Sequence, residues 1–158
     1  MKRALVLTLP IAALMPRAAS AAPIGSITNS QTGLVMIPRG LSPNQGVQLI
    51  VWPSGGSPTQ QWSLVPTEGR WFKIVNQGNG LCVGVGNSST ADGARIIQWP
   101  DDGNTSQQWR WLGDGPYRVL LNRNSGKVIG VSGGSPMQGT NLIQWHADGT
   151  PNQRWQLQ

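Results

Sequence analysis

The stretch Gly93-Ala-Arg-Ile-Ile-Gln-Trp-Pro-Asp-Asp-Gly-Asn-Thr-Ser-Gln-Gln-Trp109 occurs in the sequence in three related copies. The first copy spans residues 46–62 and the last spans residues 139–155, so successive copies are 47 and 46 residues apart. Each copy ends in Gln-x-Trp, and another tryptophan stands ten residues before the last one. A constant offset of this length indicates three copies of one supersecondary unit. The repeats run over about residues 24–67, 68–114 and 115–158.

The segments within each repeat predict strands and not helices. Apolar runs are short, turn residues follow each of them, and no stretch has apolar residues at i, i+3, i+4 and i+7. In the middle repeat, the predicted strands are residues 71–76, 80–85, 94–99 and 108–112. One four-stranded unit buries little surface, but three units can close on one another and remove their free sheet edges. The sequence therefore predicts an all-β domain, a threefold barrel with a hairpin cap.

The first residues predict an export signal. Lys2 and Arg3 precede an apolar run of 12 residues from Ala4 to Met15, and Ala19-Ser20-Ala21 fits a cleavage site. This run is shorter than the roughly 20 apolar residues that span a bilayer. We therefore expect residues 1–21 to be a signal peptide and residues 22–158 to form a secreted, soluble domain without membrane insertion.

The charge of the mature chain gives little support for a polyanionic partner. Removal of residues 1–21 takes three of the 12 cations, which leaves nine cations against six acids and a formal net charge of +3 instead of +6. The remaining cations are scattered along the sequence, whereas nucleic-acid-binding domains usually carry a basic stripe. We therefore expect no nucleic-acid partner.

Cys82 is the one cysteine, so the chain cannot form an intramolecular disulfide. The repeat offset matches it with Val35 and Val128, which favours a small, buried, apolar side chain. A reactive or dimer-forming thiol is the alternative.

Residue types that carry catalysis are scarce. The chain has one histidine, His146, and one glutamate, Glu68. His146 and Asp148 share one predicted turn without a nucleophile elbow, and paired carboxylates for glycoside hydrolysis could come only from loop aspartates. No cluster of Cys and His has the spacing of metal ligands. We therefore expect a protein that is not an enzyme and that uses no metal or other cofactor.

The three Gln-x-Trp motifs, each with a glycine-led apolar strand and a tryptophan-ended strand upstream, resemble the ricin-B-type β-trefoil lectin domain. The resemblance covers residues 24–158 and implies a β-trefoil fold with carbohydrate as the binding partner. It also implies that the motif tryptophans form the core and that the motif glutamines hold backbone groups. A buried indole removes about 150–250 Å² from water, which suits a core role. The tryptophans concerned are Trp62, Trp109 and Trp155.

In this family, each repeat holds sugar in a shallow pocket. An aspartate on the second strand accepts hydrogen bonds, an aromatic ring on the third strand stacks on the sugar, and an Asn-Gln pair adds polar contacts. Strand alternation leaves open which face of the third strand is core, but the turn directly after Trp99 favours an outward ring. The stacking positions correspond to Trp52, Trp99 and Trp145.

The family's aspartate is missing from every repeat, because its position holds Ile37, Gly84 and Gly130. A hydrogen bond to a charged group contributes about 1.5–3 kcal/mol, whereas a millimolar site has only about 4 kcal/mol in total. The loss of the aspartate is therefore expected to abolish a site unless another acid replaces it. The candidates are Asp102 and Asp148, three residues after their tryptophans, although ordinary turn aspartates remain the alternative.

We expect the third repeat to bind sugar best, the second more weakly and the first least. The asparagine position holds Asn152 in the third repeat but Ser106 and Thr59 in the others. The affinity of each site is expected to be weak, about 4–6 kcal/mol. The predicted contacts are Trp145, His146, Asp148, Asn152 and Gln153 in the third repeat, Trp99, Asp102 and Gln107 in the second, and Trp52 in the first.

The expected function is thus carbohydrate binding by a secreted, lectin-like protein. A protein-binding trefoil without sugar affinity, such as a secreted inhibitor, stays open because the family's aspartate is missing. Against that alternative, the regular repeats contain no insertion that could serve as a reactive loop.

Overall fold

The computed structural model describes residues 21–158, together with Ala4, residues 6–8, Pro10 and residues 12–13. Most of the predicted signal peptide, residues 1–21, therefore lies outside the described residues. The described chain is all-β, and its helices are short 3₁₀ turns. None of these helices could cross a membrane. Its strands are β1 (Ile24–Gly25), β2 (Ile27–Asn29), β3 (Val35–Pro38), β4 (Leu49–Trp52), β5 (Trp62–Pro66), β6 (Phe72–Asn76), β7 (Cys82–Val85), β8 (Ile96–Trp99), β9 (Trp109–Leu112), β10 (Val119–Asn122), β11 (Val128–Val131), β12 (Leu142–Trp145) and β13 (Trp155–Leu157).

The strands of the middle repeat, β6 to β9, lie within two residues of their predicted bounds. Single turns of 3₁₀ helix follow the second strand and precede the fourth strand of each repeat. These turns are Arg39–Leu41, Pro58–Gln60, Gly86–Ser88, Thr105–Gln107, Ser132–Gly134 and Pro151–Gln153.

The first and last strands of the repeats form a closed ring of antiparallel pairs. In this ring β5 pairs with β6, β6 with β9, and β9 with β10. An isolated bridge between Arg118 and Trp155 leads on to β13, which pairs with β2. The ring closes because β1 pairs with β5, and β1 and β2 are one strand interrupted at Ser26. The predicted β-trefoil is confirmed.

The middle strands of each repeat form a hairpin on this ring: β3 with β4, β7 with β8, and β11 with β12. Their registers are equivalent, because Val35, Cys82 and Val128 each pair with the tryptophan that ends the next strand. Bridges between residues 48 and 97, 50 and 141, and 95 and 143 join the hairpins to one another. The fold therefore places the three upstream tryptophans at equivalent points of the surface.

The motif tryptophans are the largest fully buried side chains of the described chain. Each indole N–H donates to a backbone carbonyl 26 residues earlier, at 2.9–3.0 Å. This bond satisfies the ring's polar group inside an apolar core. The pairs are Trp62 with Met36, Trp109 with Val83, and Trp155 with Ile129.

Cys82 is buried, as its valine equivalents predict. Burial, with a smaller effect from the negative charge of Asp101, raises the pKa of its thiol to about 11. The thiolate is the reactive species, so the folded protein keeps this cysteine inert near neutral pH.

Candidate functional site

The glutamine of each Gln-x-Trp motif is buried and holds the turn that precedes it. In the third repeat, Gln153 Nε2 donates to the carbonyl of His146 at 2.9 Å, and Gln153 Oε1 accepts from the N–H of Asp148 at 3.0 Å. Gln107 makes the same pair of bonds with Pro100 and Asp102, at 2.8 and 3.1 Å. The amides of Gln107 and Gln153, predicted as sugar contacts, are thus committed to backbone, and they fix where the turn aspartates stand.

The upstream tryptophans face outward. Trp52, Trp99 and Trp145 are 40%, 38% and 36% exposed. The edge of each ring rests against a glycine from a different repeat. A β-carbon on that glycine would lie 3.5–4.0 Å from the indole Cζ3. The contacts are Trp52 with Gly139, Trp99 with Gly46, and Trp145 with Gly93.

A pocket of about 460 Å³ lies beside Trp145 in the third repeat. Its polar lining includes the side chains of Asp148, Asn152 and Thr150. Its floor passes over Gly130, where a β-carbon would approach both Asn152 Oδ1 and Gln153 Cγ to 3.2 Å. The absent side chain of Gly130 therefore opens this pocket.

A smaller pocket of about 220 Å³ lies beside Trp99 in the second repeat. It is lined by Asp102, Ser106 and Gly84, among others. A β-carbon on Gly84 would lie 3.1 Å from Gln107 Cγ, so this glycine also makes room.

The same volume is filled in the first repeat. Ile37 occupies the position of Gly84 and Gly130, is 2% exposed, and packs with Val35 and Ile50 in a small apolar cluster. In the first repeat, a buried isoleucine side chain therefore occupies the position at which the second and third repeats have a glycine. This packing gives a structural reason for ranking the first repeat last.

The turn aspartates each keep one carboxylate oxygen free. Asp148 Oδ1 accepts from the hydroxyl and the N–H of Thr150, at 2.6 and 3.0 Å. The hydrogen bond from the Thr150 side chain holds the pKa of Asp148 below its usual value, so this carboxyl is ionised at neutral pH. Asp102 Oδ1 accepts from the N–H of Asn104 at 2.9 Å. Within the described chain, no hydrogen bond reaches Oδ2 of either residue, which leaves that atom for a ligand.

His146 is not brought into the third pocket. Its Nδ1 lies 2.8 Å from Oδ2 of Asp92, and its backbone N–H donates to Asp92 Oδ1 at 2.8 Å. Its ring centroid is 5.3 Å from that of Trp145. His146 therefore supports Trp145 from beside and links two repeats, and it does not line the cavity.

Sequence reasoning missed residues that follow the second strand. Asn87 and Ser88 line the second pocket, where the third pocket has Gly133 and Gly134. Asn87 has a left-handed backbone with φ of 54°, and Gly133 has φ of 62°. The repeat offset matches these positions, so their contrast was visible in the sequence. The second pocket therefore has polar side chains at an edge where the third pocket has only glycines.

The sequence model of the ricin-type β-trefoil lectin domain matches residues 23–155. The chain belongs to this family. Family membership supports carbohydrate binding as the general function, and the matched region contains all three Gln-x-Trp motifs. No group of three or more His, Cys, Asp or Glu residues that could hold a metal occurs in the described chain.

Solved structures agree with the fold. ThreeFoil, a designed threefold-symmetric protein, is 33% identical over 85% of this chain and 96% of its own, with a TM-score of 0.83. An exo-β-1,3-galactanase from Clostridium thermocellum is 31% identical over 89% of this chain, with a TM-score of 0.83, but the match spans only 30% of the galactanase. The C-half of an earthworm R-type lectin in complex with GalNAc has a TM-score of 0.67 at 20% identity, over 84% of this chain and 95% of its own. No curated protein sequence matched the chain.

Proposed function

We propose that the protein is a secreted, non-catalytic carbohydrate-binding protein whose main sugar site lies in the third repeat and whose second site lies in the second repeat. The observation that carries this proposal is the pairing of an exposed tryptophan with an ionised turn aspartate across an open pocket. Trp145 and Asp148 form this pair in the third repeat. The export of the protein rests on residues 1–21 alone.

In the third repeat, the apolar C–H face of a sugar stacks on Trp145, and its hydroxyl groups donate to the free Oδ2 of Asp148. Asn152 supplies an amide at the far side, although its Nδ2 also donates to the Thr150 hydroxyl at 2.8 Å. A few convergent polar groups on an apolar platform fix the orientation of a ligand. Because Asp148 is held by Thr150 and by the Gln153 bridge, little ordering is needed on binding.

The second repeat offers the same pair, Trp99 and Asp102, in a smaller pocket. Ser106 stands in place of Asn152, and its hydroxyl lies 3.1 Å from that of Ser88. This engagement leaves fewer free groups for sugar than in the third repeat. Two weak sites on one rigid body still gain by avidity on a polymer or a cell surface.

The test is a binding screen of residues 22–158 against glycans and polysaccharides, followed by titration of the best ligand. Trp145→Ala and Asp148→Asn should each weaken binding about tenfold or more, the size expected for losing a stacking ring or a charged hydrogen bond. Trp52→Ala is the matched control, because Trp52 has an equivalent position beside a filled pocket.

Two results would overturn the proposal. One is a screen with no saccharide ligand, which would favour a protein-binding trefoil. The other is a Trp52→Ala variant that loses more affinity than Trp145→Ala. Export is tested separately by mass spectrometry of the secreted protein, whose chain is expected to begin near Ala22.

A further inference from the structure

A second kind of surface lies where the second repeat joins the third, away from the tryptophan pockets. Two adjoining clefts of about 670 and 260 Å³ share Arg118 and the loop residues 112–114. We name this surface the Arg118 cleft and define it by Arg70, Phe72, Trp111, Asp114, Arg118 and Arg154.

The arginines of the Arg118 cleft lack acidic partners. Within the described chain, no carboxylate lies within 4.0 Å of Arg70, Arg118 or Arg154. By contrast, Lys73 and Lys127 elsewhere on the surface are ion-paired, with Asp101 and Asp92. Asp114 is the one acid that lines the cleft, so its lining carries a net of two positive charges.

The guanidinium of Arg118 lies over one aromatic ring. Its guanidinium carbon lies 5.0 Å from the centroid of a Trp111 ring, and the Trp111 and Phe72 centroids are 6.2 Å apart. Its Nε is buried and has no hydrogen-bond partner within the described chain. A guanidinium fixed on a ring presents a planar fork that matches the oxygens of carboxylate, sulfate or phosphate.

The fold does not require these residues. The repeat offset matches Arg118 with Gly25 and Phe72, and it matches Trp111 with Leu64 and Leu157. The other two repeats thus build the same strands with small or apolar residues at these positions. The backbone of Arg118 belongs to the ring of strands through its bridge to Trp155, but the ring does not need a guanidinium or an indole at these two positions.

We propose that the Arg118 cleft binds sulfate or carboxylate groups of an acidic polysaccharide, independently of the tryptophan pockets. Recognition of the oxyanion rests on the unpaired arginines, whereas the saccharide character of the ligand rests on the proposed function.

The test compares the binding of residues 22–158 to dextran sulfate, polygalacturonate and neutral dextran at about 0.15 M salt, where long-range attraction is screened. The variant Arg70→Gln/Arg154→Gln removes two exposed cleft arginines and should weaken binding of the acidic polymers about tenfold or more. The control Arg39→Gln/Arg95→Gln removes the same amount of charge from positions next to the hairpin strands β3 and β8. It should change the binding of the acidic polymers less than about twofold. Arg118→Gln tests the stacked arginine, with its unfolding curve as a check on folding.

The two acidic polymers distinguish the sources of the oxyanion: binding of dextran sulfate assigns sulfate, and binding of polygalacturonate assigns carboxylate. Trp145→Ala should leave this binding unchanged while it weakens neutral-sugar binding, so failure of the cleft and failure of the sugar site are separable. Equal losses in the two double variants would reduce the effect to net charge and overturn the proposal. Equally tight binding of duplex DNA, with the same dependence on Arg70 and Arg154, would also overturn it.

Discussion

The imidazole Nδ1 of His146 lies 2.8 Å from Oδ2 of Asp92, which ties the third repeat to the second beside Trp145. Asp92 also accepts from the backbone N–H of His146 and lies 3.5 Å from Lys127 Nζ. The hydrogen bond from the His146 side chain is the main cause that holds the pKa of Asp92 below its ordinary value. Asp92 belongs to the second repeat, yet it binds His146 in the turn of the third repeat at which the candidate site begins.

The first prediction concerns Asp92→Asn and acid stability. A depressed folded-state pKa contributes stability that is present above the unfolded pKa and is lost as the pH falls through the folded value. Wild type should therefore be more stable than Asp92→Asn at pH 7. The difference should begin to decrease below about pH 4, where an ordinary aspartate becomes protonated, and it should vanish only when the pH is below the lowered pKa of Asp92 in the folded protein. Urea unfolding across this pH range measures it. Asp114→Asn, which removes an aspartate without an ion pair, is the control, and a difference that persists in acid would contradict the assignment.

The sequence was sufficient for the fold because the repeats constrain each other. Trp62, Trp109 and Trp155 stand at one repeat position, and a residue type that recurs there must serve the common structure. Turn residues then separated the strands well enough to place β6 to β9 within two residues. The break of the first strand at Ser26 was not foreseen, because the pairing that interrupts it involves the distant Gln158.

The site was only partly predictable, because its decisive contacts join residues far apart in sequence. The outward ring of Trp145 and the turn position of Asp148 follow from local pattern. The capture of His146 by Asp92 involves residues 54 positions apart and has no local signal. Likewise, the filling of the first pocket depends on where the Ile37 side chain points, and the convergence of Arg118 and Arg154 exists only in the folded chain.

The second prediction is that Trp109→Ala destabilises the domain by about 3–5 kcal/mol, the usual cost of truncating a fully buried tryptophan. This loss is a large part of the 5–15 kcal/mol that stabilises a typical domain. Trp99→Ala is the control, because its ring is partly exposed and lies over a glycine. Urea unfolding of both variants measures the contrast, and equal losses would show that Trp99 is a core residue.

The third prediction concerns Cys82→Val, which places in the second repeat the residue that the other two repeats carry. Because burial raises the thiol pKa to about 11, the folded state resists ionisation that the unfolded state permits from about pH 9. The stability that wild type has below pH 9 should therefore decline as the pH rises toward 11, whereas the valine variant should escape this part of the loss. At pH 8, a thiol reagent should label wild type only after unfolding. Rapid labelling of the folded protein would contradict burial.

The last prediction fills the pockets one at a time with the residue found in the first repeat. Gly130→Ile and Gly84→Ile should each remove one sugar site, so that titration counts fall from two sites to one and, in the double variant, to none. Gly130 lies within β11, where an extended backbone suits a β-branched residue. Its new β-carbon would start 3.2 Å from Asn152 and Gln153, so these side chains must shift by a few tenths of an ångström. Ile37 shows that an isoleucine fits at this position of the first repeat, so both variants are expected to fold.

Gly84→Ile, which keeps the third site, should retain the tighter binding, and Gly130→Ile should retain the weaker. If Gly130→Ile folds and binds sugar as wild type does, the ligand does not enter the pocket beside Trp145.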